Sequence, residues 1–143
     1  MKKIKTVDNI GYISYNINIV YILYILKEVI NLIFDIVFYE QNDRCPVNEF
    51  ILSLDKKMRA RIYKNIELLE ENGNMLGMPF SRHLEDGIFE LRTNSGNNIT
   101  RILYFFVIGQ KIIMTNGFTK KTEKTPKKEI ELAKRRRNEY LNR

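Results

Sequence analysis

Three runs of sequence decide the fold: GIFELR at residues 87–92, RILYFFV at residues 101–107 and KIIMTNGFTKKT at residues 111–122. Each run is rich in β-branched and aromatic residues, and short polar turn sequences separate the runs. This pattern is typical of three consecutive antiparallel strands, a meander. Four cations lie within or at the ends of these strands and suggest a phosphate-rich partner: Arg92, Arg101, Lys120 and Lys121.

The sequence before the meander predicts one strand and two helices. Residues 34–39 form an apolar, β-prone run, and Pro46 suits the first position of a short helix. A longer helix begins after a cap at Asp55 and ends at Gly73. Its apolar residues recur at helical spacing and define one packing face: Met58, Ile62, Ile66 and Leu69. We expect the two helices to form a hairpin laid over the sheet.

Residues 74–86 are predicted to form a connecting loop. Leu84 is its expected core anchor, and the loop carries His83, the single histidine of the chain. A lone loop histidine is usually incidental, so His83 is only an accessory candidate for catalysis. Cys45, the single cysteine, directly precedes Pro46 and is expected to be structural, because only one histidine is present to serve as its base.

A final helix is predicted after Thr125 and Pro126, with Thr125 as the cap and the proline in the first turn. Glu129 comes early in this helix and the basic residues 134–137 come late, in keeping with the helix dipole. Four residues define its expected packing stripe: Ile130, Ala133, Tyr140 and Leu141.

The element order over residues 34–143 is therefore β-α-α-β-β-β-α. It predicts an α+β fold, in which a small antiparallel sheet packs against a helical hairpin and a C-terminal helix. The 143 residues are enough for one domain with a core. Residues 1–33 are interpreted as an N-terminal extension of that domain.

The extension begins with lysines and continues into an apolar run at residues 19–26. That run is only eight residues long, whereas a spanning helix needs roughly 18–20. Two interpretations stay open: an accessory helix on the domain, or a leader that does not belong to the functional protein. No membrane partner is expected, and a single cysteine fits a reducing, cytoplasmic location.

The positive charge of the chain is concentrated near its end. The formal net charge is +7, and residues 109–143 hold eleven Lys and Arg against four Asp and Glu, which also gives +7. The first 108 residues therefore sum to zero. This distribution is consistent with a solubilising basic tail or with an electrostatic footprint for nucleic acid. Attraction to an anionic membrane surface is a weaker third interpretation.

Three linked motifs resemble those of the RelE/ParE superfamily of bacterial toxins, and more narrowly its phage-derived, HigB-like branch. They are LEDGIFELR at residues 84–92, RILYFF at residues 101–106 and GFTKKTEKTP at residues 117–126. The resemblance covers residues 34–143 and implies a RelE-like fold. It further implies a toxin of a type II toxin–antitoxin pair that cleaves messenger RNA, usually on the ribosome, and so inhibits translation.

The same resemblance implies the site residues Arg92, Arg101, Lys120 and Lys121. Two further accessory candidates are Glu90, which shares a strand face with Arg92 and is expected to orient it, and Tyr104, which is more readily a core residue. The implied partners are a cognate antitoxin, messenger RNA and the ribosome. Because ParE-type members act on DNA gyrase instead, a toxin that binds a protein target without cleaving RNA stays the alternative.

RNA cleavage of this kind needs the 2′-OH to attack the adjacent phosphate. Arginine suits the stabilisation of charge on that phosphate, because its planar fork binds phosphate bidentately and stays charged. Neighbouring cations lower the pKa of a lysine, which favours proton transfer by Lys120 or Lys121. The resemblance implies an endoribonuclease, an mRNA interferase. Because the sequence holds no acidic cluster of the kind that a two-metal nuclease uses, we expect it to be metal-independent and to need no cofactor.

Overall fold

The structure is a computed structural model, and it describes residues 5–7, 13–15, 18–30 and 33–143. The chain divides into two compact units, residues 1–32 and residues 33–143. The prediction that residues 34–143 form the functional domain stays a prediction.

The first unit contains two short strands and a helix. Strand β1 (Lys5–Val7) pairs antiparallel with strand β2 (Ile13–Tyr15), and helix α1 covers Ile19–Ile30. The large apolar side chains of α1 are 40–68% exposed. Of the helices that the structure describes, none is long and apolar enough to cross a membrane. The lysine-rich start at residues 1–4 lies outside the described residues.

The second unit is built on a five-stranded mixed sheet, which confirms the predicted α+β class. Its strands are β3 (Asp35–Phe38), β4 (Ser81–Glu85), β5 (Ile88–Ser95), β6 (Asn98–Val107) and β7 (Lys111–Thr119). Their spatial order is β3-β7-β6-β5-β4. The predicted meander is present as β5, β6 and β7, which pair antiparallel.

Two features of the sheet differ from the sequence prediction. Strand β3 pairs parallel with β7, so the sheet is mixed rather than antiparallel throughout. The predicted loop of residues 74–86 contains strand β4, which pairs antiparallel with β5 and forms one edge of the sheet. Leu84 still packs against the core, as expected of an anchor in this segment.

Helices cover both faces of the sheet. The hairpin of α2 (Pro46–Leu52) and α3 (Lys56–Asn72) packs on one face, and α4 (Lys127–Leu141) packs on the other. The predicted cap of α3 is present, because the Asp55 carboxylate accepts a hydrogen bond from the Met58 backbone N–H at 2.9 Å. The predicted packing face of α3 is confirmed at Met58, Ile62 and Leu69, which are fully buried, while Ile66 is partly buried.

The start and end of α4 differ from the prediction. Pro126 occupies the N-cap position, and the Thr125 hydroxyl bonds to Glu90 instead of capping the helix. Ile130 and Ala133 are buried as predicted, and Tyr140 packs partly against the same core. Leu141, predicted to pack, is 56% exposed.

Candidate functional site

Alternation along β5 and β6 places three charged side chains on the face that α4 covers. Ile88 and Leu103 belong to the core that packs against α4. Because alternate residues of a strand share a face, Glu90 and Arg92 lie on the face of Ile88, and Arg101 lies on the face of Leu103. The strand register places Arg92 directly opposite Arg101. Helix α3 then supports the backbone of β5 from behind this pair.

That support comes from one side chain of α3. The Asn65 amide donates to the Arg92 carbonyl oxygen at 3.0 Å and to the Thr93 hydroxyl oxygen at 2.9 Å. The Arg92 backbone N–H donates to the Phe80 carbonyl oxygen at 2.7 Å. The position of Arg92 is therefore fixed both by the turn that precedes β4 and by the helical layer beneath the sheet.

Glu90 is the centre of the charged group, and its side chain is 0% exposed. Its Oε1 atom lies 3.3 Å from Arg92 Nη1, and its Oε2 atom lies 3.7 Å from Arg101 Nε. The Thr125 hydroxyl donates to Oε2 at 2.5 Å. The structure thus brings Glu90 against Arg92, as its place on the strand face predicts, and adds contacts from β6 and from the segment before α4.

Arg101 is the most buried cation of the group, with its side chain 2% exposed. Its Nη1 atom donates to the Thr100 carbonyl oxygen at 2.7 Å and to Asn94 Oδ1 at 3.2 Å. Its Nε atom is buried without a hydrogen-bond partner. Burial, and next the charge of Arg92, lower the pKa of Arg101 from its ordinary value. Arg101 therefore contributes positive charge from beneath the surface.

Lys120 follows β7 on the same alternation as Phe118, which packs in the core under α4. Its backbone N–H donates to the Ile99 carbonyl oxygen at 2.7 Å, which holds the residue against β6. Burial lowers the pKa of Lys120, and the charge of Arg101 lowers it further. The next residue, Lys121, is exposed.

Arg82 is a site residue that sequence reasoning missed. It lies on β4 opposite Glu90, and its Nε atom is 3.3 Å from Glu90 Oε1, the oxygen that Arg92 also approaches. Its side chain is 45% exposed. Only the pairing of β4 with β5 brings it here, and the residue has no distinguishing sequence context of its own. The cation row is defined as Arg82, Arg92, Arg101 and Lys120.

Two accessory candidates do not join the cation row. Tyr104 is fully buried in the core beneath α2 and α3, where its hydroxyl lies 2.5 Å from the Ser81 hydroxyl. Burial raises the pKa of Tyr104 to about 12. His83 packs edge-on against Phe89, which belongs to that same face, and its Nε2 atom accepts a hydrogen bond from the Gly87 backbone N–H at 3.2 Å.

The cation row carries four positive charges against the one negative charge of Glu90, a net charge of +3. Arg92 is 20% exposed and Arg82 is 45% exposed, so two guanidinium groups face solvent beside a buried third. Guanidinium groups bind phosphate in bidentate fashion. The arrangement can therefore hold a phosphate group and stabilise additional negative charge on it.

Comparison with known proteins assigns this part of the chain to a described family. The family model described as "Phage derived protein Gp49-like (DUF891)" matches residues 49–138, which is more than half of the chain. The matched segment includes every residue of the cation row. No match was found among curated proteins.

Proposed function

The chain belongs to the phage-derived Gp49-like family, which is associated with toxins of toxin–antitoxin systems, and from this premise we propose that it is an mRNA-cleaving toxin of the HigB-like branch. In this proposal it is a metal-independent endoribonuclease that acts on messenger RNA at the ribosome and inhibits translation. It works in the cytoplasm without a cofactor. The observation that carries the proposal is the cation row with its net charge of +3 around buried Glu90.

The proposed reaction cleaves the RNA backbone by an internal transesterification. The 2′-oxygen attacks the neighbouring phosphorus and loses its proton, and the 5′-oxygen leaves and gains a proton. The products are a 2′,3′-cyclic phosphate and a 5′-hydroxyl. Negative charge accumulates on the phosphate oxygens in the transition state, which is where fixed cations stabilise the reaction most.

The side chains divide these tasks according to their exposure. Arg92 is partly exposed and holds the reacting phosphate with its guanidinium fork. Arg101 is buried, so it does not contact the RNA and instead adds positive charge beneath the bound phosphate. Lys120, with its lowered pKa, takes the proton of the 2′-OH, and exposed Lys121 binds the RNA backbone nearby. Glu90 holds the arginines in place.

Arg92→Ala provides the test of this proposal. Loss of one transition-state donor typically lowers the rate by about 10²–10³-fold. Arg92→Lys stays impaired, because a point charge does not reproduce the fork. Lys57→Ala, which removes an exposed cation from α3, is the matched control and keeps the parental rate. The measurement is the single-turnover cleavage rate on ribosome-bound message, with folding checked by circular dichroism.

A second experiment, in cells, distinguishes the rival class, a toxin that binds a protein target such as DNA gyrase. Primer extension on cellular messages after induction reveals new RNA ends if the chain cleaves RNA. DNA breaks without new RNA ends would support the rival. If Arg92→Ala cleaves as fast as the parent chain, Arg92 is not catalytic.

A toxin of this kind needs a cognate antitoxin, and the family association supports such a partner. The exposed members of the cation row favour an acidic antitoxin segment that covers them. Co-expression with a neighbouring small reading frame is expected to restore growth. Failure of every neighbouring frame to rescue a toxic chain would contradict the pairing.

A further inference from the structure

We propose that Arg82 extends the phosphate-binding site to the edge of the sheet, so that a single-stranded RNA backbone crosses the strands from β7 to β4 and Arg82 binds a phosphate beyond the reacting one. This inference rests on the proposed function, since it concerns the path of the same RNA. It starts from the order of the cation row across the sheet.

The cation row takes one residue from each of four neighbouring positions in the sheet. Lys120 follows β7, Arg101 lies on β6, Arg92 on β5 and Arg82 on β4, and these strands are adjacent in that order. Neighbouring strands are about 4.8 Å apart, so the row spans about 14 Å at right angles to the strands. A stacked polynucleotide strand advances about 3.4 Å per nucleotide, so the row is longer than the spacing between successive phosphates and can contact more than one of them.

Such a row is costly for the fold. Arg92 and Arg101 are directly opposite each other, and like charges in that position destabilise a sheet. A single carboxylate, Glu90, offsets the repulsion of the arginines. Four cations with one counter-charge are therefore not an arrangement that stability alone favours, whereas binding of a polyanion benefits from all of them.

Arg82 is the member of the row best placed to reach a second phosphate. Its side chain is the most exposed of the three arginines, and it lies on the strand at the edge of the sheet. Among the described residues, the ion partner of its guanidinium is Glu90, which its Nε atom approaches. The terminal nitrogens of Arg82 are thus available for a phosphate on the outer side of Glu90.

The test compares RNA ligands of different length. The probes are a 2′-O-methyl dinucleotide, with one phosphate, and a 2′-O-methyl dodecanucleotide, neither of which can be cleaved through the 2′ position. Fluorescence anisotropy gives the affinity of the labelled dodecanucleotide at several salt concentrations, and competition gives the affinity of the dinucleotide. The matched control is Arg44→Ala, which removes an exposed arginine paired with Glu49 just after β3, the strand at the other edge.

Arg82→Ala is expected to weaken binding of the dodecanucleotide several-fold more than binding of the dinucleotide. Its plot of log affinity against log salt should be shallower by about 0.7, the value for one phosphate contact on a single strand. Arg82→Lys keeps the charge and should keep the parental salt slope. Arg44→Ala should behave as the parent chain. Arg82→Gln repeats the test if the alanine variant unfolds.

Three outcomes overturn the inference. Equal losses for both ligands would mean that Arg82 acts through the reacting phosphate or through the fold. An unchanged affinity and salt slope for the dodecanucleotide would mean that Arg82 binds no phosphate. If the parent chain itself binds neither RNA, the proposed function fails together with this extension. If the parent chain binds RNA and Arg82→Ala binds it equally well, only the extension fails and the proposed function stands.

Discussion

At Glu90, one buried carboxylate lies among three arginines that come from three strands. Arg82 and Arg101 come from β4 and β6, the strands on either side of β5, while Arg92 lies on β5 with Glu90 itself. The Thr125 hydroxyl adds the segment that leads into α4. A buried charge of this kind is tolerated only when it is paired and hydrogen-bonded. Glu90 therefore has two tasks: it keeps the sheet together where cations face each other, and it fixes the directions of their guanidinium groups.

Glu90→Gln should lower the free energy of unfolding by about 3–5 kcal/mol, because it leaves the buried Arg101 guanidinium without its counter-charge. Urea denaturation measures this loss. Arg101→Met in the same chain removes the uncompensated cation, so the double variant should be more stable than the sum of the two single changes predicts. Strict additivity of the two changes would contradict the coupling.

The lowered pKa of Lys120 predicts a specific pH dependence of cleavage. If neutral Lys120 takes the proton of the 2′-OH, the single-turnover rate rises with pH while the lysine loses its proton. It levels off above the pKa of Lys120, which lies below the ordinary value of about 10.4. Lys120→Arg keeps the positive charge but stays protonated, so its rate should be low and should lack this rise. The same rise in Lys120→Arg would assign proton transfer to another group.

At the scale of elements, the sequence predicts best where a pattern is long and local. Helix α3 has an apolar stripe, an N-cap at Asp55 and a glycine at its end, and each signal lies within the helix or next to it. Strands β5, β6 and β7 are equally clear, because alternation and turn residues mark them. The direction of β3 was not predictable, since the same run of residues can pair parallel or antiparallel at an edge.

Strand β4 shows why one part of the candidate site could not be predicted from the sequence. Its sequence, SRHLE, is short and mostly polar, and it becomes a strand by pairing with β5. The β-propensity of the local sequence does not predict a strand that depends on such tertiary pairing. Arg82 was missed for that reason, whereas Arg92, Arg101 and Lys120 lie in or beside strongly patterned strands. Family resemblance supplied those residues, and the strand register brings them together.

The glycine that ends α3 gives a prediction for the element it terminates. Gly73 has a φ of 52°, and a Cβ atom there would lie 1.9 Å from Cε2 of the Phe34 ring. Gly73→Ala should therefore destabilise the chain by more than the roughly 1–3 kcal/mol of backbone strain alone. Gly77→Ala is the matched control, because a Cβ there has no neighbour within 4 Å. Urea denaturation compares them, and equal stability of the two variants would contradict the expected clash.

At the scale of the whole molecule, the two units predict the effect of a truncation. A chain that begins at Ile33 keeps every strand and helix of the second unit. Because that unit keeps its own sheet and helices, the truncated chain should unfold at the parental midpoint in thermal denaturation. It should also cleave RNA at the parental rate, because the residues of the cation row all lie in that unit. A lower midpoint would show that residues 1–32 stabilise the second unit, and a lower rate with an unchanged midpoint would give them a part in activity.

The parallel pairing of β3 with β7 has a consequence for the time at which the molecule becomes complete. It joins residues 35–38 to residues 111–114, whereas synthesis proceeds from the N-terminus. Strand β3 therefore waits without its partner in the sheet while the helical hairpin, β4, β5 and β6 are made. Contacts so distant in sequence also form slowly. Lys120 is made later still, so any activity of the cation row begins only after β7 and the residue that follows it have been translated.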